Sequence, residues 1–334
     1  MSNQLGGRNK LSNMQDIARK AGVSSATVSR VINQSGYVSS ETRKKVEAAI
    51  QQMDYVPNSQ AVSLKTGSSK TLGIVASNFS DTMMVLVRSF TLAAQQEGYT
   101  VTFYITDEDK QKELDVLEML RGKRLDGIFL LIRLNDWSAI EPYAKYGPIV
   151  TWQRVDSNHI ASVYMDQYHA YTLGLEHLYA SGCRSIVNLY SNSHGLNTKS
   201  RIKAYEDFCT RHLLPAHSAD LFMGLNTSRD GERVAQWWLE QSVKPDAFMT
   251  SSDSVAAGLV TQAQRLGCHL PEDFSVIGFD NIEISRLLDI STIDYPVAKQ
   301  AKNAFALIFH QLTNREVFLE PLDFQLISRK TTKN

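Results

Sequence analysis

From Thr71 onward, short apolar runs alternate with amphipathic helical stretches, and this alternation limits the possible folds more than any other feature of the chain. Strand candidates are residues 72–76, 100–105, 127–132, 149–152 and 162–165, then 185–190, 247–250 and 276–279. Helical spacing fills the gaps at 82–97, 110–121 and 137–146, then at 168–181, 199–213, 228–241 and 254–266, with a last helix at 297–313. Repeated βαβ units of this length require parallel sheets covered by helices on both faces. The two runs, broken near Asp166, predict two lobes.

A chain of 334 residues is too long for one ordinary domain, and an apolar fraction of 43% is enough for several cores. No stretch of about 20 apolar residues is present, so nothing is expected to span a bilayer. Met1 to Lys10 is polar and has no signal-peptide pattern, so a cytoplasmic location is expected. The three cysteines, Cys183, Cys209 and Cys268, lack metal-ligand spacing and fit reduced thiols. Residues 1–70 carry ten Lys/Arg against four Asp/Glu, a balance of +6, and the rest carries 25 against 31, or −6. A basic head on an acidic body suits a polyanionic partner.

Within that head, Met14 to Ala21 reads as a helix capped by Asn13 and stopped by Gly22. Ser24 caps a second helix over 25–33, whose Val28, Val31 and Ile32 face inward, and a third runs over about 40–53 behind Ser39 or Ser40. Helix, glycine-bearing turn, helix is the helix-turn-helix arrangement. The outward set on the second helix is read as Ser25, Ala26, Thr27, Ser29, Arg30 and Asn33. Small residues admit a helix to the major groove, and Arg30 can pair bidentately with a guanine edge. Ser24, Thr27, Ser29 and Asn33 suit phosphates, and Asn13 and Tyr37 complete the expected DNA-facing set.

The run Asp16-Ile-Ala-Arg-Lys-Ala-Gly-Val-Ser-Ser-Ala-Thr-Val-Ser-Arg-Val-Ile-Asn33, with Val38-Ser-Ser-Glu-Thr-Arg43 and Tyr55-Val-Pro-Asn58, resembles the head of the lactose-repressor/galactose-repressor family. The likeness is nearly continuous over residues 13–66 and implies DNA binding, with Ser25, Ala26 and Arg30 reading bases. It also implies a hinge helix at 59–65, capped by Asn58, with Leu64 as the apolar wedge that enters a base step. Such a segment is too short to be helical in isolation. The body, residues 71–330, resembles the family's periplasmic-binding-protein-like effector module.

The expected fold is therefore a small all-α helix-turn-helix head plus an α/β periplasmic-binding-protein-like body of two parallel-sheet lobes. An extension at 1–12 precedes the head at 13–57 and the hinge and linker at 58–70. The module implies lobe crossings near Asp166, Asp294–Val297 and Asp323–Leu326. These give a first lobe of 71–166 plus 297–324 and a second of 167–296 plus 325–334.

Ligands of open α/β sheets bind beyond the carboxyl ends of the strands. That rule selects Asn78, Asp81, Gln153, Arg154, Asn192, Ser252, Asp253 and Asp280, with Asp81 and Asp253 also readable as helix caps. Arg201 matches the family arginine that clamps the effector, and Asp280, in Val276-Ile-Gly-Phe-Asp280, its acidic partner. A guanidinium and a carboxylate on one cleft suit vicinal hydroxyls, hence a sugar. Met83-Met84 stands where family members often carry an aromatic pair, and Ser252 where asparagine is frequent. These departures leave a nucleobase or an amino-acid derivative open beside a sugar. Trp137 and Trp152 are readable either as stacking surface or as core.

The chain has no Walker A pattern, no G-x-G-x-x-G after a strand, no C-x-x-C and no H-E-x-x-H, so neither an enzyme nor a cofactor or metal is expected. The resemblance implies instead a transcriptional repressor on a pseudo-palindromic double-stranded operator, switched by a small molecule. No leucine heptad follows the last strand, so a homodimer is expected.

Overall fold

The computed structural model describes residues 13–32, 35–55, 67–77, 81–191, 195–218 and 222–333, with the Asp81 side chain left out. By contacts the chain divides into a head unit, Met1–Ser69, and a body, Lys70–Asn334. Asn33, Asn58, Leu64, Asn78 and Asn192 lie outside the described residues.

In the head, α1 (Met14–Ala21) begins with a reciprocal cap. Asn13 Oδ1 accepts from the N–H groups of Gln15 and Asp16, at 2.9 and 3.0 Å, and Asp16 Oδ2 accepts from the N–H of Asn13 at 3.1 Å. Gly22, at φ 66°, ends the helix in a left-handed conformation open to glycine without strain. Ser24 Oγ accepts from Thr27 N–H to start α2 (Ser25–Ile32), and Ser39 caps α3 (Ser40–Gln52) through Thr42 N–H. Ile17, Ala18, Val28, Val31, Val46 and Ala49 form the shared core.

The body holds two five-stranded sheets. The first, in order β2-β1-β3-β4-β5, contains β1 (Thr71–Ala76), β2 (Thr100–Ile105), β3 (Gly127–Leu130), β4 (Ile149–Thr151) and β5 (Ala161–Ser162), all parallel. The second, in order β10-β9-β8-β7-β6, contains β6 (Ile186–Asn188), β7 (Ala247–Met249), β8 (Ser275–Phe279), β9 (Ser291–Asp294) and β10 (Gln325–Ile327). It is parallel except for β10, which runs antiparallel to β9.

Helices cover both faces of each sheet. They are α4 (Asp81–Gln96), α5 (Lys110–Arg121) and α6 (Trp137–Ile140) in the first run, then α7 (Gln167–Ala180), α8 (Leu196–His212), α9 (Ser228–Glu240), α10 (Asp253–Arg265), α11 (Glu283–Leu287) and α12 (Val297–Thr313). The long α12 returns to the first sheet. Its Ala301, Ala304, Phe305 and Ile308 join Leu72, Ile74, Phe90 and Phe129 in one core. Trp152 packs against cores of both sheets and stacks on Tyr295, so the seam between the lobes is aromatic.

The structure departs from the sequence pattern at three places. The helix expected over 137–146 is broken, and after Ile140 the chain continues as a 3₁₀ helix, Glu141–Tyr146. Pro142 has no N–H to extend an α-helix. Strand β9 falls where only a crossing was expected, and α11 was not foreseen. The inner residues of β9 are Ser291 and Thr292, whose buried hydroxyls are satisfied by partners about 40 residues away. Among the described residues no helix is long and apolar enough to cross a membrane, and no group of His, Cys, Asp and Glu could hold a metal. Cys183, Cys209 and Cys268 are all buried and unbridged.

Candidate functional site

On the head, α2 presents Ser25, Ala26 and Arg30 to solvent, with Thr27 half-buried beside them. Tyr37 is 93% exposed. Ser24, Thr27, Arg30, Tyr37 and Ser39 line a shallow depression of 350 Å³. Ser24 Oγ lies 2.9 Å from Thr27 Oγ1, so these two hydroxyls already satisfy each other and α2's first turn. Asn13 is exposed but spent on its own helix cap. Ser29 requires a correction. It is buried, 8% exposed, on the flank of the Val28 and Val31 stripe, because a helix in a three-helix bundle buries a face wider than its apolar residues alone. It is not part of the outward set.

On the body, the strand ends converge as expected on a cleft with two adjoining cavities that share Ser191. The larger, 970 Å³, is lined by Thr82, Asn226, Ser228, Glu232, Ser252 and Asp280 among others. The smaller, 400 Å³, includes Arg133, Trp152, Gln153, Arg154, Tyr164 and Tyr295.

Arg201, on the second turn of α8, is 7% exposed beneath this cleft. Its Nε donates to Gln167 Oε1 at 2.8 Å and its Nη1 to the Ser251 carbonyl at 3.0 Å. Its guanidinium centre lies 4.0 Å from the Phe279 ring centroid and 5.6 Å from that of Tyr171. Burial pulls its pKa below the ordinary arginine value, opposed by Tyr171 and then Asp280. The guanidinium stays charged, because arginine does not lose its proton in proteins, but Arg201 is not among the residues that line either cavity.

Asp280 follows β8 at φ 104°, a left-handed value that non-glycine residues rarely adopt. The Thr82 hydroxyl, at the start of α4, donates to Asp280 Oδ2 at 2.6 Å. This bond spans the two lobes directly. Asn281 and Arg329 brace the loop: Arg329 Nη2 donates to Asn281 Oδ1 at 2.8 Å, and Asn281 Nδ2 donates to Asp294 Oδ1 at 3.2 Å.

Asp253 also requires a correction. It is neither the cap nor a cleft residue. Ser252 caps α10, accepting from Val255 N–H, and Asp253 is fully buried behind it. Its Oδ1 accepts from the Thr292 hydroxyl at 2.5 Å and its Oδ2 from Ile282 N–H at 2.8 Å. Burial pushes its pKa up to about 6 against these hydrogen bonds. The carboxylate thus ties the loop that carries Asp280 to the sheet.

Gln153 and Arg154 both line the smaller cavity, and Gln153 Oε1 accepts from Arg133 N–H at 3.3 Å. Arg133, Tyr164, Tyr295 and Thr82 escaped the sequence reading. Arg133 follows its strand as Gln153 follows β4, so the strand-end rule would have found it. Tyr295 sits at a lobe crossing. Trp137 carries Arg133's guanidinium at 5.1 Å from its ring centroid.

The loop bearing Arg133 is held by Glu113, which is 1% exposed. Its carboxylate accepts from the N–H groups of Leu134 and Asn135 at 2.6 and 3.0 Å, and from Asn135 Nδ2 at 3.0 Å. Replacing it by alanine orphans two backbone donors. E113A is expected to lower stability by about 2–3 kcal/mol in urea titrations. An unchanged midpoint would show that the loop does not depend on this clasp.

Residues 13–58 match the profile of bacterial regulatory proteins of the lacI family, and residues 175–332 that of a periplasmic binding protein-like domain. An uncharacterized HTH-type transcriptional regulator of Bacillus subtilis, YkvZ, is 32% identical over 324 residues, covering 96% of this chain and all of its own. The sucrose operon repressor of Pediococcus pentosaceus is 30% identical over 312 residues, 92% of this chain and 94% of its own. The crystal structure of the lac repressor dimer bound to operator and the anti-inducer ONPF is similar with a TM-score of 0.84 at 25% identity, over 96% of this chain and 99% of that one.

Proposed function

Since this chain belongs to the lacI family of bacterial regulatory proteins, we propose that it is a cytoplasmic transcriptional repressor whose hold on a pseudo-palindromic operator is set by a small sugar or sugar derivative. The single observation that carries this reading is the coexistence, in one chain, of an exposed Ser25, Ala26 and Arg30 face with a two-lobed cleft that has Asp280 in its lining. Its relatives are transcriptional regulators, and the chain is not an enzyme.

The protein acts as a homodimer, each head reading one half-site in the major groove. The hinge segment with Asn58 and Leu64 becomes helical on the operator and wedges the minor groove. An effector that engages Asp280 competes with Thr82 for its carboxylate and so alters how the two lobes close. A coupling of about 1–3 kcal/mol is enough for useful regulation.

A gel shift on upstream DNA, with and without candidate sugars, tests the reading. R30A is expected to lose about 1–3 kcal/mol of discrimination against altered half-sites, roughly five- to 150-fold. An unaltered sequence preference in R30A rules out the base-reading role of Arg30. Protein that ignores every natural duplex at low salt rules out the repressor.

A further inference from the structure

We propose that the effector carries a negative charge, as a sugar phosphate or a sugar acid, and that its anionic end is seated between Arg133, Arg154 and the start of α8. This rests on the reading of the cleft as an effector site and adds the class of ligand.

The two cavities of the cleft differ in charge. The larger has Asp280 and Glu232 in its lining, whereas the smaller has Arg133 and Arg154 and no carboxylate at all among its described lining residues. Arg154 is exposed and has no ion pair among the described residues. Among the described residues the one ion pair of Arg133 is with Asp136, at 3.7 Å, whose side chain is 89% exposed, and its Nη1 also donates to the Asn135 carbonyl at 2.8 Å. A contact with so exposed a carboxylate is worth little in water.

A third positive element faces the same space. Gly195, Leu196, Asn197 and Thr198 line it, and these residues open a 17-residue helix with no side-chain cap and no acidic residue in its first turn. The N–H groups of such a turn and the helix dipole favour an anion. Asn197 Oδ1 is buried in this turn with no partner among the described residues. Trp152 and Tyr295, stacked on each other, wall one side of the cavity with aromatic rings.

A neutral sugar drawn into this space would strip water from two arginines and a helix terminus without replacing it. A phosphate or carboxylate accepts from both guanidinium groups, in the bidentate geometry arginine offers. Ring hydroxyls of the same molecule then reach, toward the larger cavity, Asp280. The polarity of the cleft therefore sets the orientation of the ligand as well as its charge.

The test is thermal unfolding of the full chain in sodium phosphate, sodium acetate and sodium chloride at equal ionic strength, with the double variant R133Q/R154Q beside wild type. Wild type is expected to gain on the order of 2–4 °C in phosphate or acetate over chloride when the anion is well above its Kd, and the double variant to lose most of that gain. Phosphate alone being effective assigns a sugar phosphate, and acetate alone a sugar acid. R154Q, altered only at an exposed residue, gives the same comparison with a partial loss should the double variant not fold. No gain in wild type, or an equal gain in variant and wild type, overturns the proposal, the second outcome locating the anion elsewhere, such as the basic head. The measurement needs no DNA. An anion effect that depends on Arg133 and Arg154 in a protein that binds no operator would sink the repressor reading and leave this one standing.

Discussion

Replacing Gly258 by alanine is expected to destabilise the body by about 3 kcal/mol or more, although alanine is the better helix former by about 1 kcal/mol. Helices α9 and α10 meet through two glycines. A Cβ on Gly258 would lie 1.8 Å from the Ser228 carbonyl oxygen, and one on Gly231 would lie 2.1 Å from that of Val255. Both obstacles are backbone, so the helices must part. Gly174, in α7, is the contrast. A Cβ there meets the end of the Met249 side chain, at 2.7 Å from Cε and 2.8 Å from Sδ, which can swing aside. G174A is expected to stay within about 1 kcal/mol of wild type. Urea titrations of both variants decide the matter, and equal midpoints would mean that the glycine contact does not set helix spacing. Because Ser228, Ala257 and Gly258 also line the larger cavity, parting the helices reshapes the effector site.

The second large effect is a dependence of stability on pH that comes from Asp253. Its pKa rises from 3.8 to about 6 on folding, first because burial penalises the charge. The fold therefore favours the protonated form. Its contribution is fully present below about pH 4 and is lost as the pH rises through 6. A shift of about two units corresponds to roughly 3 kcal/mol of stability lost by pH 7 relative to the acid end. D253N is expected to remove this component. Its Oδ1 can accept from Ile282 N–H, and its Nδ2 can donate to Thr292 Oγ1 once that hydroxyl turns. The stability difference between D253N and wild type should therefore move in favour of the variant between pH 4 and pH 7, read from denaturant midpoints across that range. A difference that does not vary with pH would mean that Asp253 does not titrate in this window.

What could be read from the sequence was what neighbours along the chain decide. The bounds of α1 and α3 were visible because Asn13, Gly22 and Ser39 act on residues within one turn. Strands β1, β2 and β8 were visible as apolar or β-branched runs between glycine-bearing turns. Gln153, Arg154 and Asp280 were found by their position after strands, and Arg133 could have been found by the same rule. The failures lie where partners are distant. Ser29 reads as a groove residue until its helix is packed, and Asp253 reads as a cap until Thr292 and Ile282 are brought to it. Strand β9 hides because its buried hydroxyls resemble a loop in sequence. The Thr82–Asp280 bond joins residues nearly two hundred positions apart and belongs to neither lobe's local pattern.

The return of α12 to the first sheet has a consequence for the birth of the molecule on the ribosome. Phe305 and Ile308 complete a core whose other members, Leu72, Ile74, Phe90 and Phe129, are translated far earlier. The half made first must therefore wait, unsealed, while β6 to β9 and their helices emerge in unbroken succession and assemble. The second sheet is completed later still, by β10, so neither lobe closes on consecutive residues, and a nascent chain arrested before Val297 exposes the apolar surface that chaperones bind.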